Sequence, residues 1–164
     1  MLPIILLRSI TESDLPIFYE QQLDPEATAM ADFPARDRES FMLQWTKIMA
    51  DTSLIQKTIL FDGQVAGNIV CWEMLGEREV GYWLGKEFWG KGIATEALKQ
   101  FLDEVKNRPL FAHVARHNIA SKRVLEKCGF EVVGEDKYLN RIGKEVEEIV
   151  LKLNGHGSGK MEAV

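Results

Sequence analysis

Residues Gly85 to Ala97 read Gly-Lys-Glu-Phe-Trp-Gly-Lys-Gly-Ile-Ala-Thr-Glu-Ala. The run follows Glu79 to Leu84, which reads as a strand. It leads into Ala94, Ala97, Leu98, Phe101, Leu102 and Val105, spaced as the apolar face of a helix. Glycines on both sides of Lys91, at a strand-to-helix junction, bare the backbone N–H groups of Gly90 to Thr95. The helix dipole adds partial positive charge there, so the junction suits a phosphate or pyrophosphate.

Whose phosphate it holds is the deciding question. Gly85-x-x-x-x-Gly90-Lys91 nearly spells the P-loop of nucleoside triphosphatases, but Gly92 stands where that loop needs a Ser or Thr hydroxyl for Mg²⁺. Phe88 and Trp89 are bulky where a triphosphate cradle wants small residues. Asp62 follows Ile59, Leu60 and Phe61 as a Walker B aspartate would, yet Asp62-Gly63 between two apolar runs reads more simply as a hairpin turn. A plain glycine-rich turn is the bland alternative. A coenzyme cradle is the reading the rest of the chain favours.

The 164 residues, 46% hydrophobic and 27% charged, have the composition of one soluble globular domain. That domain is expected over 1–154, followed by a flexible tail over 155–164. Cys71 and Cys128 have neither metal-like nor redox-like spacing and read as reduced thiols in a cytoplasmic protein. A net charge of −5 argues against general nucleic-acid binding. No run of 18 apolar residues suggests a membrane span. Met1 to Leu7 reads as a first strand rather than a signal peptide.

Along the chain, Ile4 to Arg8 reads as a strand and Thr11 to Asp14 as a helix cap. Leu15, Phe18 and Tyr19 then keep helical spacing. Asp24 to Arg36 reads as a loop, and Phe41, Trp45, Ile48 and Met49 define a second helix. Strands are expected over 53–61, 64–73, 79–84, 110–115, 130–133 and 146–153. The glycine-loop helix follows the fourth strand, and a last helix runs from Asn118 to Cys128 with Gly129 as its stop. The fold class is α+β: a mixed, mostly antiparallel sheet of about seven strands with about four helices.

Two segments carry a family resemblance. Trp89-Gly-Lys-Gly-Ile-Ala94 is similar to the acetyl-CoA pyrophosphate loop of the GNAT N-acetyltransferase superfamily, with Trp89 in place of the usual first polar residue. The stretch from Arg116 to Phe130, with Asn118-x-x-Ser121 opening a helix that ends in Gly129-Phe130, is similar to its second signature. With Val80-Gly-Tyr-Trp-Leu84 the chain resembles the RimJ/RimL-type branch, whose members acetylate protein N-termini and whose relatives act on small amines.

The resemblance implies acetyl-CoA as co-substrate, no metal, and fourth and fifth strands that splay to admit the pantetheine arm. The coenzyme contacts it implies are Tyr82, Trp83 and Leu84, then Trp89, Gly90, Lys91, Gly92, Ile93, Ala94 and Thr95, then Asn118, Ser121, Lys122 and Arg123. The partner is an amine-bearing acceptor, either a peptide N-terminus or a small molecule, with a homodimer as one assembly option. Phe33 and Arg36, in the early loop, are expected near that acceptor.

Amine acetylation needs a neutral nitrogen. An α-amine of pKa about 7.8 is neutralised at a cost of about 1 kcal/mol at pH 7, a lysine-like amine at about 4.6 kcal/mol. Glu79 is the base candidate, sharing a strand face with Gly81 and Trp83, and Glu73 is its rival. The tyrosine that many superfamily members use as acid is replaced by Leu125, which leaves Ser121 and Tyr138 as candidates. The glutamate of RimL-type proteins is missing, its place falling near Asn140, a departure that argues against the same protein substrate. His113 and His117 show no metal-ligand spacing and no acid–base logic in the sequence. The reading is direct transfer of acetyl to a primary amine; a non-catalytic acyl-CoA-binding module is the alternative.

Overall fold

The computed structural model describes residues 3–155. Its elements are β1 (Ile5–Arg8), α1 (Leu15–Gln22), α2 (Pro25–Ala31), α3 (Arg38–Ala50), β2 (Ile55–Phe61), β3 (Gln64–Met74), β4 (Glu77–Leu84), α4 (Ile93–Glu104), β5 (Leu110–Ala115), α5 (Ile119–Lys127), β6 (Glu131–Leu139) and β7 (Glu145–Leu153). Single 3-10 turns precede α1 and α4. Residues 156–164 of the expected tail, and Met1 and Leu2 of the expected first strand, lie outside the described residues.

The seven strands form one sheet in the order β1-β2-β3-β4-β5-β7-β6. Every pairing is antiparallel except β4 with β5. That parallel pair is short: Arg78 lies opposite Leu110 and Glu79 opposite Phe111, and the ladder stops there. β4 continues to Leu84 and β5 to Ala115, so the strands part just beyond Glu79. The expected splay is present, and Glu79 stands at its fork.

Alternation along the strands sends side chains to two layers. Val80 and Leu84 of β4, Leu110, Ala112 and Val114 of β5 and Leu151 of β7 meet the apolar face of α4, where Leu98 and Phe101 are fully buried. Burying a side chain of that size contributes roughly 1.5–3 kcal/mol. On the opposite layer Leu15, Phe18, Phe41 and Trp45 of α1 and α3 pack on Val70 and Val65 of β3. Buried Asp14 ties the layers' edge together. It accepts two bonds from the Arg8 guanidinium at 2.7 and 2.8 Å, one from the Thr58 hydroxyl at 2.7 Å and one from the Thr11 N–H at 3.0 Å.

Two expectations need correction. The stretch read as a loop after Asp24 contains α2, making five α-helices rather than about four. Asp24 caps α2 by accepting from the N–H groups of Glu26 and Ala27, Pro25 supplies a preset φ at its first position, and Asp32 ends it at φ 53°. Only Ala27 of α2 is buried, so no apolar period marked the helix. The sixth strand also runs on to Leu139 rather than stopping at Val133. It is an edge strand with exposed Glu135, Asp136 and Lys137, and its pairing with β7, not an apolar alternation, sustains it.

Candidate active site

The glycine loop is built as an open cradle. Gly90 and Gly92 adopt φ of +72° and +76°, a region L side chains rarely enter. A Cβ at either position would meet no atom within 4 Å. Gly92 is the N-cap of α4, and no side chain caps the first-turn donors; the first helical bond runs from the Glu96 N–H to the Gly92 carbonyl. The loop is anchored from below: the Trp89 indole N–H donates to the Leu84 carbonyl at 3.1 Å, and Ile93 is buried. Lys91 is exposed at the rim. Bare amides, a helix N-terminus and room above both glycines fit a diphosphate. The residues present therefore fit coenzyme A.

Beside the loop, on the α4–α5 side of the sheet, the Tyr82 hydroxyl and Ser121 Oγ lie 3.0 Å apart. Burial pushes the Tyr82 phenol up to about 12, against the opposing effect of the Ser121 bond. Asn118 accepts from the Ser121 N–H at 3.2 Å, so it caps α5 as the sequence suggested. Lys122 reaches Glu126 at 3.9 Å, and Arg123 is exposed on the same helix. Gly129 takes φ +97° at the end of α5, letting Phe130 turn into the core.

On the other side of the sheet Glu79 is 5% exposed. His113 Nε2 is 3.0 Å from Glu79 Oε1, and His113 Nδ1 is 3.2 Å from Glu148 Oε1. The bonds to Glu148 and Glu79 outweigh burial and raise the imidazole to about 10. His113, which showed no acid–base logic in the sequence, thus has two carboxylate partners. Both are remote in the chain, on β4 and β7, and only the sheet order brings them to β5. Asp136, His113 and Glu148 offer ligand-type atoms within 4.8 Å of one another. A cation there would have to displace a hydrogen bond that a His113 ring nitrogen already makes to a carboxylate.

The walls of this side come from α2, the loop after it and the β6–β7 hairpin. The Phe33 ring meets the Trp83 ring edge-on at 6.4 Å, so the Trp83 side chain faces α1 and α2 while its backbone lies on the open edge of β4. Arg36 is clamped through its backbone, donating its N–H to Gln22 Oε1 at 2.8 Å and accepting from Gln22 Nε2 at 3.0 Å. Arg141 donates to the Pro34 and Ala35 carbonyls, and Lys144 pairs with Asp32 at 2.9 Å. His117 Nε2 lies 2.8 Å from the Ala29 carbonyl. Tyr138 pairs with Val146 two steps along from the Asp136–Glu148 pair, on the same sheet face. Burial, and then the charges of Glu148 and Asp32, raise its phenol. Glu73, the rival base, is exposed near the end of β3.

Residues 5–131 match the family model described as an acetyltransferase (GNAT) domain. The chain belongs to the GNAT acetyltransferase family. A curated relative, "Putative ribosomal N-acetyltransferase YdaF" of Bacillus subtilis, is 32% identical over 100 residues, covering 57% of this GNAT chain and 55% of that protein. The match thus spans about half of the curated relative. A solved structure described as a "Probable acetyltransferase" is 25% identical with a TM-score of 0.73, covering 92% of each chain. RimL, a ribosomal L7/L12 alpha-N-protein acetyltransferase solved with coenzyme A, shares the fold at a TM-score of 0.76 and 21% identity, covering 92% of this chain and 94% of its own.

Proposed function

We propose that this GNAT chain transfers an acetyl group from acetyl-CoA directly to a primary amine. The single observation that carries the reading is the fork. β4 and β5 part beyond Glu79, with the glycine cradle and the Tyr82–Ser121 pair on one side and the buried Glu79 on the other. A donor held on one side and an acceptor approaching from the other would meet there.

The amides of Gly90 to Thr95 would hold the diphosphate, with Lys91 adding charge at the rim. The open edge of β4 over residues 80–84 offers backbone groups to the amides of the pantetheine arm, as a sheet edge does to an added strand. Bound acetyl-CoA supplies an acetyl group activated as a thioester. Glu79, buried at the fork, takes the proton from the attacking amine. In the Tyr82–Ser121 pair one hydroxyl donates to the other, whose own O–H donates toward the departing sulfur, a modest task because a thiol of pKa about 8.5 leaves readily. Proximity does much of the work. Burial raises the thiols of both Cys71 and Cys128, the opposite of an activated nucleophile, which favours direct transfer over an acetylated cysteine.

The relatives named above as ribosomal and N-terminal protein acetyltransferases make a peptide α-amine the first acceptor to try, and its low neutralisation cost agrees. The test is release of the coenzyme thiol, followed by colorimetry, with N-terminal peptides, polyamines and aminoglycosides as acceptors. Wild type should turn over at least one of them, and Glu79→Gln should lower kcat about 10²–10⁴-fold with coenzyme affinity retained. Tight coenzyme binding without acetylation of any amine would favour the binding-module reading. Full activity in Glu79→Gln would remove Glu79 as the base.

A further inference from the structure

Glu79 is an unusual place for a carboxylate. It sits on a central strand of the sheet, its side chain 6% exposed, between β3 and β5. A charge in such a place is costly unless it is paired. Among the described residues no arginine or lysine reaches it; the group within bonding distance is His113 Nε2. The other ring nitrogen faces Glu148, whose side chain is 14% exposed. An imidazole with a carboxylate at each nitrogen donates from both, which is the charged form.

We propose that His113 is a positioning residue for the proposed transfer: bridged between Glu79 and Glu148, its ring commits Oε1 of Glu79 and turns Oε2 toward the fork to meet the incoming amine. The inference rests on Glu79 being the base. The geometry gives each member a task. β4 and β5 are in register at Glu79 and Phe111, so His113, two residues on, sits where the strands diverge and can reach across the gap. Glu148 on β7 is paired through the ladder with Ala115, which places it on the same face as His113 and behind the ring. The charge sum of the three is −1, so the base keeps acceptor character while its burial is compensated. Asp136 on β6 adds a further carboxylate near the ring. Tyr138 on β6, Asp32 after α2 and His117, bonded to the Ala29 carbonyl, also lie on this side, and Arg116, Lys137 and Lys144 are each engaged by other carboxylates.

A ring that merely filled space would leave the pH profile in place. A ring that positions and compensates the base would not. With the ring's positive charge removed from beside the base, the acid limb of kcat should move to higher pH.

The test uses the full chain with a peptide amine at saturation. His113→Gln, which keeps a donor but loses the charge, should lower kcat about tenfold or more at neutral pH and move the acid limb upward, with acetyl-CoA affinity within about twofold of wild type. Glu148→Gln should give a smaller loss in the same direction. Independently of activity, an NMR titration of the His113 ring should show it charged through pH 8 in wild type and titrating at lower pH in Glu79→Gln. A ring that is neutral at pH 7 in wild type overturns the bridge. So does a His113→Gln enzyme with the wild-type profile, or with a loss equal at every pH. Were no amine acetylated by wild type, the transfer reading would fail, and the ring titration would still decide the bridge.

Discussion

Substituting Gly92 by Ala separates backbone strain from coenzyme contact. Gly92 sits at φ +76°, with nothing within 4 Å of the position a Cβ would take. Ala in that region is strained by about 1–2 kcal/mol. At about 2–4 °C per kcal/mol for a chain of this size, melting should fall by several degrees. Gly76, in the β3–β4 turn at φ +83°, is likewise open within 4 Å and lies at the opposite end of β4 from the loop, so Gly76→Ala carries the same strain as a control. The strain is present with and without ligand and largely cancels from the binding equilibrium. The new methyl in the cradle does not cancel. It blocks close approach of the diphosphate to the amides, and losing one bond to a charged group costs about 1.5–3 kcal/mol. Calorimetry should therefore show acetyl-CoA bound at least tenfold more weakly by Gly92→Ala and unchanged in Gly76→Ala, with similar melting losses in both. Equal affinities in the two variants would refute the cradle.

Tyr82 and Ser121 should behave as one unit. Tyr82→Phe and Ser121→Ala should each lower kcat by roughly tenfold or less, and the double variant should lose little more than either single one; additive losses in a double-mutant cycle would mean separate roles. Asp14, held at about 2 by bonds from Arg8, Thr11 and Thr58 that outweigh its burial, contributes stability that is present above the usual carboxylate pKa and lost as pH falls through 2. Unfolding free energies from urea titrations should thus drop between pH 4 and 2 in wild type, by on the order of 2 kcal/mol, and more shallowly in Asp14→Asn. His113 works in the opposite direction. Its folded pKa of about 10 lies above the unfolded value, so its stabilisation is complete below pH 6.5 and is lost as pH rises through 10. His113→Gln should flatten that alkaline decline in the same urea series.

What was legible in the sequence is the part written in local signals. Gly90 and Gly92 announced positive φ and bare amides, Asn118 announced a cap, and Gly129-Phe130 announced the stop and return to the core. Strand patterning placed Glu79 correctly on β4, although the strand begins earlier, at Glu77. The missed features are those that depend on sheet order or lack an apolar period. α2 buries one alanine and was recognisable only from Asp24-Pro25, a cap followed by a first-turn proline. β6 is held by β7 rather than by burial. His113 gains its partners from strands that neighbour β5 in space, and no spacing rule in the chain connects Glu79, His113 and Glu148. The Tyr82–Ser121 contact is similar: both residues were singled out, but their meeting across β4 and α5 was not.

Diffraction from crystals grown with acetyl-CoA tests the central claim most directly. The account predicts the diphosphate accepting from the amides between Gly90 and Thr95, and the acetyl group lying in the opening between β4 and β5, beside Glu79 on one face and Ser121 on the other. Coenzyme bound elsewhere on the chain, or an acetyl group directed away from that opening, would contradict it.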